Sequence, residues 1–380
     1  MNHGSYRDTW VEVDLGAIQH NVKSFKEHIH NECKLMAVVK ADGYGHGAIE
    51  VAKAAIGAGA DYLAVAILDE AISLREANIK APILILGYTS PNAVKTAIQH
   101  DITLTVFTQD VLDQVIQTAE ELKKNTHIHI KIDSGMNRIG IKNKEETLKL
   151  IHSNTSSFVT VEGIFTHFAQ ADDPNSSFTE KQFSHFQAIV DYLEQHDVHI
   201  PIKHCCNSAA TIAYPEKHLD MVRVGVSLYG LYPSEHLRDK ISLRQAMSFK
   251  TKPVLVKMVN AGESISYGCT FTTNRVSTIA TIPVGYADGL SRSISNKGNV
   301  TVKGKRAPIV GRICMDQSMI DVTGVGAVNE DDIVTIFGDP DHGYISLSEV
   351  AEQMNTIHYE TVCLIGKRVP RVYVNNENKT

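Results

Sequence analysis

Between residues 34 and 230 the chain repeats one pattern: a short apolar run rich in β-branched residues, a glycine or polar turn, then a segment with helical spacing. The runs fall at 35–39, 62–66, 83–86, 104–107, 127–132, 161–166, 202–206 and 221–224. Runs this apolar suit strands buried on both faces, as in a parallel sheet covered by helices. Ser90 followed by Pro91 predicts a helix over 92–100, and the Thr179 to Gln182 spacing of a capping box predicts another running toward Gln195. Eight such alternations within about two hundred residues predict a closed parallel (β/α)8 barrel of the TIM type rather than an open sheet.

After residue 240 the pattern changes to alternating strands with glycine turns, at 253–259, 277–283, 300–302, 309–313, 320–322 and 333–337, broken by one short helix over 347–354. The α/β barrel is therefore assigned to 14–240 and a mainly β C-terminal domain to 241–380. The first apolar run, 9–13, precedes a helix capped by Asp14 and reads as an extra strand, within residues 1–13, associated with the β domain.

Composition narrows the function classes. At 380 residues the chain exceeds what one core usually supports, so two domains are expected. A net charge of −6 gives no basic excess for gripping a phosphate backbone, which argues against nucleic acid as a partner. The start, Met1-Asn2-His3-Gly4-Ser5-Tyr6-Arg7, is polar where a secretory signal is apolar. No run approaches the ~18 apolar residues that span a bilayer, so the chain reads as cytoplasmic, with no membrane partner. The six cysteines show no metal-binding or redox spacing, and the adjacent Cys205 and Cys206 are awkward to bridge, so reduced thiols and no metal are expected.

Chemistry is expected where barrel strands end. Lys40 closes the first apolar run and precedes Ala41-Asp42-Gly43-Tyr44-Gly45-His46-Gly47; an amine there needs either an anion or a carbonyl to attack. The other strand ends carry Asp133 to Arg138, His167, Asn207-Ser208, and Arg223 with Gly225-Val226. Ser208 and Gly225 stand at the seventh and eighth strands, where this fold commonly holds phosphate. A lysine and a phosphate cup in one mouth point to a phosphorylated aldehyde, pyridoxal 5′-phosphate. Arg223, in an apolar strand, either donates to the cofactor's ring nitrogen or pairs with Asp220. Gly43-x-Gly45-x-x-Ala48 with Asp69 also fits a loose dinucleotide fingerprint, so an NAD-dependent dehydrogenase is the rival reading.

Over nearly its whole length the chain resembles the bacterial alanine racemases. The motifs are Ala37 to Gly47, Lys131 to Gly140, Thr166-His167-Phe168, Asn207-Ser208-Ala209-Ala210, Arg223-Val224-Gly225, Ser266-Tyr267-Gly268 and Cys314-Met315-Asp316-Gln317. The resemblance implies a homodimer with shared active sites that interconverts L- and D-alanine and supplies D-alanine for peptidoglycan. It implies Lys40 and Tyr267, the latter from the neighbouring subunit, as the two catalytic bases. It places Tyr44, Ser208, Gly225, Val226 and Tyr359 around the phosphate, with Asn207 and His167 beside the cofactor, Arg223 at the ring nitrogen, and Arg138 and Met315 at the substrate carboxylate. Lys131 matches a lysine often carbamylated in the family. Asp42-Gly43 stand where Asn-Ala is common and Asn137 where glycine is common. A racemase of serine or broader specificity and a non-catalytic pyridoxal phosphate carrier are the remaining readings; the carriers lack a β domain with its tyrosine.

Overall fold

The computed structural model describes residues 6–375, so part of the polar N-terminal stretch and residues 376–380 lie outside it. It divides into two compact units, one of Ile18–Gly43 and Ala48–Leu243, the other of Met1–Ala17, Tyr44–Gly47 and Arg244–Thr380. Residues 44–47, read from sequence as part of the barrel, thus belong to the β unit.

In chain order the strands begin with β1 (Thr9–Asp14), followed by β2 (Lys34–Val38), β3 (Tyr62–Val65), β4 (Ile83–Ile85) and β5 (Leu104–Val106). After these come β6 (Thr126–Lys131), β7 (Val159–Phe165), β8 (Ile202–His204) and β9 (Met221–Val224). Strands β2 to β9 form two parallel arcs, β4-β3-β2-β9 and β5-β6-β7-β8. Hydrogen bonds close the ring at both seams: Thr103 N donates to Ile83 O at 2.9 Å, and Arg223 N to Cys206 O at 3.1 Å. The apolar runs read from sequence are its walls, with Met36, Leu63, Leu84, Leu104, Ile130 and Ile164 fully buried. A closed ring has no topological switch point, so the dinucleotide-binding reading fails on architecture.

Local starts differ from the sequence reading in instructive ways. The helix Phe178–Glu194 begins one residue before Thr179, whose hydroxyl is buried with no described partner, so the expected capping box is absent. The helix Pro91–Gln99 starts as read, with proline at its first turn, but the Ser90 hydroxyl makes no capping bond. Asp14 does cap its helix, accepting from Gly16 N at 2.9 Å.

The β unit has a six-stranded sheet in which β1 lies between Met247–Thr251, antiparallel, and Arg371–Val374, parallel. A three-stranded antiparallel sheet joins Leu255–Val259, Ser277–Ile282 and Ser318–Asp321. The strand expected at 309–313 is not there; the strand is Lys305–Pro308. Ile309, Val310 and Ile313 are buried all the same. Gly311 turns the chain at φ +75°, and a Cβ there would lie 2.6 Å from Ile265 O. The apolar residues marked core, and the glycine forbade the extended pairing.

Candidate active site

Lys40 stands two residues past the C-terminal end of β2 and is half buried. The chain then enters a left-handed turn: Ala41, Asp42 and Tyr44 have φ of 53°, 53° and 52°, with Gly43 at 61°. For residues with a Cβ this conformation costs about 1–2 kcal/mol each. Carboxylates hold it in place. Glu70 accepts from Ala41 N at 2.6 Å and from Ala66 N at 2.7 Å, and Asp42 accepts from Ala48 N at 2.9 Å. A Cβ on Gly43 would meet Ala48 N at 3.2 Å, so glycine suits this point of the turn. Glu70 carried no motif, and its part is visible only once β3 lies beside β2.

Arg223 on β9 is 3% exposed. Its Nη1 donates to His204 Nδ1 at 2.9 Å, and its Nη2 to Thr166 O at 2.8 Å, Cys205 O at 3.1 Å and His167 Nδ1 at 3.2 Å. Burial lowers the guanidinium to about 10, still above neutral pH, so it remains a cation. Asp220 accepts from Lys203 N at 2.7 Å, and no described carboxylate bridges to Arg223; the ion-pair alternative is set aside. His167 and His204 are held well below the usual histidine range, first by burial and then by the Arg223 charge. They are neutral acceptors. Of the guanidinium nitrogens, Nε makes no hydrogen bond to any described residue.

The end of β6 adds further polarity. Lys131 is 4% exposed, with Nζ 4.5 Å from the Phe165 ring centroid. Burial, then the charges of Arg223 and Arg138, push its amine far below the usual lysine range. Lys131, Asp133, Met136, Arg138, Thr166 and His167 line one small cleft. Asp133 Oδ1 accepts from Gly135 N at 3.0 Å and Asn137 N at 2.9 Å. Asn137 takes φ +56°, a left-handed conformation that asparagine tolerates better than most residues, so the departure from glycine leaves the turn intact. At β8 and β9, Asn207 caps the helix Ser208–Ala213 by accepting from Ala210 N at 2.9 Å. Ser208 opens that helix and its hydroxyl accepts from Gly225 N at 2.9 Å, and Val226 starts the short helix that follows β9.

Tyr44, Tyr267, Met315 and Tyr359 belong to the β unit. The Tyr44 and Tyr359 rings lie 6.5 Å apart, and burial, with Tyr359 and Cys363 beside it, pushes the Tyr44 phenol up. Arg371 Nε donates to Gly45 O at 2.9 Å, fixing the segment that carries Tyr44. Tyr267 is 72% exposed and follows Ser266, whose φ of 66° and ψ of −178° fall in a region usually reserved for glycine. The Ser266 hydroxyl donates to Arg312 O at 2.5 Å and lies 3.5 Å from Cys314 Sγ, tying the tyrosine loop to the loop bearing the exposed Met315. Ser266 and Arg312 were not singled out as supports from sequence. The motif Ser266-Tyr267-Gly268 was the available sign.

The donor set fits pyridoxal phosphate. Among the described residues of the cleft, Arg138 meets one carboxylate, that of Asp133, whose Oδ1 already accepts two backbone N–H groups. Arg223 also keeps one donor with no described acceptor. A cofactor with an aromatic acceptor nitrogen answers the second, and the carboxylate of an amino acid carried on it answers the first.

A family model for the alanine racemase N-terminal domain matches residues 13–233, and one for the C-terminal domain matches residues 246–373. The chain is 64% identical over 374 residues to alanine racemase 2 of Oceanobacillus iheyensis, covering 98% of this chain and 95% of the relative. It is 47% identical over 370 residues to the alanine racemase of Methanococcus maripaludis, covering 96% and 98%. Among solved structures, alanine racemase of Clostridium difficile superposes with a TM-score of 0.94 at 40% identity, covering 98% of this chain and 97% of that one. Alanine racemase from Bacillus anthracis with bound L-Ala-P superposes with a TM-score of 0.92 at 42% identity, with the same coverage. A TIM-type barrel and a β domain matched in order, at these identities and along nearly the whole chain, place this protein in the alanine racemase family.

Proposed function

We propose that the chain is a pyridoxal phosphate-dependent racemase that interconverts L- and D-alanine. In this reading residues 14–240 serve as the cofactor-binding domain and 241–380 as the β domain that completes the site in a homodimer. The observation that carries the reading is the pair of supports built for the two expected bases: the left-handed turn behind Lys40 and the strained Ser266 before Tyr267. The relative from Bacillus anthracis carrying L-Ala-P supports alanine as the substrate. The proposed setting is the cytoplasm, with D-alanine supplied to peptidoglycan. No helix among the described residues is long and apolar enough to cross a membrane.

When bound, pyridoxal phosphate draws electron density from the substrate's α-carbon and makes its proton removable. Lys40 holds the cofactor through its aldehyde carbon. Ser208, Gly225 and Val226, with Tyr44 and Tyr359, hold the phosphate; Asn207 fixes the helix that presents Ser208, and His167 stands beside the cofactor. Arg223 would donate to the ring nitrogen, and because arginine keeps its proton, that nitrogen would stay unprotonated. Arg138 and Met315 fix the substrate carboxylate.

Racemisation removes a proton from one face of the α-carbon and returns one to the other, which calls for two opposed groups. Lys40 Nζ exchanges the proton on one face. The hydroxyl of Tyr267 of the partner subunit exchanges it on the other. The exposure of Tyr267 on a single chain supports its service to a second copy, as does that of the apolar side chains Val254, Leu255, Met258 and Val276, which are 47–75% exposed.

Lys131 is proposed to carry a carbamate that braces Arg138. The neutral form of an amine is the one that attacks carbon dioxide, and burial with the charges of Arg223 and Arg138 holds the Lys131 amine well below the usual lysine range. The product is an anion placed among arginines whose charges disfavoured the ammonium.

Three outcomes follow. Tyr267→Phe suppresses solvent deuterium entry from one enantiomer of alanine far more than from the other; equal and mild losses contradict opposed bases. Mixing Lys40→Ala chains with Tyr267→Phe chains restores activity, because one of the two shared sites in the mixed dimer is intact; no recovery despite demonstrated subunit exchange contradicts a shared site. Protein equilibrated at neutral pH with 13C-bicarbonate shows a carbamate carbonyl resonance that Lys131→Arg lacks; its absence from the wild-type spectrum removes the carbamate from the account.

A further inference from the structure

Behind Arg223 the barrel holds a second line of polar groups that no expected role uses. His204 Nε2 lies 2.9 Å from His129 Nδ1, and His129 Nε2 lies 3.2 Å from Glu162 Oε2. Both histidines are fully buried, whereas Glu162 retains 21% side-chain exposure. The direction of every bond is fixed by valence. Arg223 can only donate, so His204 Nδ1 accepts and its one proton sits on Nε2. That proton points at His129 Nδ1, which therefore accepts, and the His129 proton sits on Nε2 facing the carboxylate. Burial lowers both imidazoles, so each is neutral with one donor and one acceptor, as the chain of bonds requires.

The backbone is shaped to make this line. Ile128 on β6 pairs with Val161 on β7, but His129 pairs with Gly163, so Glu162 is the extra residue of a β-bulge. Bulges re-aim a side chain, and this one brings Glu162 within reach of His129. Gly163 supplies the room. A Cβ there would lie 2.5 Å from the His129 ring, a distance that no packed structure tolerates. The second carboxylate oxygen accepts from Tyr62 OH at 3.2 Å, and His127 Nδ1 stands 3.7 Å away. Burial works to raise the Glu162 carboxyl, yet it lies below the usual range, with the hydrogen bonds it accepts from His129 and Tyr62 drawing it down.

We propose that Glu162 is a positioning residue for the reaction: as the anionic end of the line Glu162–His129–His204–Arg223, it sets both imidazole tautomers and so keeps an acceptor, rather than a donor, against the guanidinium. Without that carboxylate His129 is free to move its proton to Nδ1. His204 must then accept on Nε2 and carry its proton on Nδ1, where it opposes an Arg223 N–H. Two donors facing each other release the guanidinium from its register with the cofactor ring. The kinetic consequence rests on the racemase reading; the tautomers do not.

The test uses the full chain loaded with pyridoxal phosphate and 15N-labelled histidine. In the wild-type protein both imidazoles carry the Nε2–H tautomer; an Nδ1–H on either one overturns the proposal, whatever the variants do. In Glu162→Leu the expected result is loss of that tautomer with kcat lowered about tenfold, the scale of a lost hydrogen bond to a charged group, and KM changed much less. Glu162→Gln, whose amide oxygen still accepts from His129, restores both tautomers and a kcat close to wild type. Unchanged tautomers and kcat in a folded Glu162→Leu protein, or a Glu162→Gln protein as impaired as Glu162→Leu, overturn it. An inactive wild-type protein that shows the two Nε2–H signals counts against the racemase reading and not against the line.

Discussion

A guanidinium sealed inside the barrel sets the terms for everything around it. Arg223 cannot shed its charge at neutral pH, and no described carboxylate neutralises it directly. Removing such a charge from water is tolerable only when its donors meet well-placed acceptors. Those acceptors are the ends of neighbouring strands: the carbonyls of Thr166 and Cys205 and the imidazoles of His167 and His204. The charge in turn keeps the histidines neutral, so they accept rather than repel. The strands must close into a ring for Thr166, Cys205 and Arg223 to meet, and the polar centre is thereby tied to the barrel's closure.

The groups proposed to move protons stand next to backbone that would relax if it could. Three non-glycine residues after Lys40 are left-handed, and Ser266 before Tyr267 lies in glycine territory at about 1–3 kcal/mol. In both places a short polar contact holds the strained segment, from Glu70 to Ala41 N and from Ser266 to Arg312 O. Strain persists only where the surrounding structure over-determines it. Here the surroundings are barrel strands on one side and the paired loops of the β unit on the other, so each chemical group is fixed by its own scaffold.

The walls of the fold were legible in the sequence because buried parallel strands need continuous β-branched runs, and Leu35 to Val39 or Ile83 to Leu86 permit few other readings. Lys40 was legible for the same reason, as a charge at the end of such a run. The left-handed turn was not, since Ala41 and Tyr44 carry no local signal for it and Glu70 stabilises it from the helix Leu68–Glu76 that follows β3. Burial without strand pairing at 309–313 escaped because periodicity reports which residues face the core, and Gly311 alone carried the geometry. The capping threonine failed because the helix start was settled by packing around Thr179. The line from Arg223 to Glu162 depends on links between residues 19 to 75 positions apart and on a bulge, and only the closed barrel brings them together.

The ring nitrogen of the bound cofactor gives the most direct reading of the central claim, that a permanent cation faces it. Loading the protein with pyridoxal phosphate labelled with 15N at the ring and recording its resonance at neutral pH is predicted to give the shift of an unprotonated pyridine that accepts a hydrogen bond, moving when Arg223 is replaced by glutamate. A protonated pyridinium shift in the wild-type protein, or a resonance indifferent to Arg223→Glu, would contradict the account.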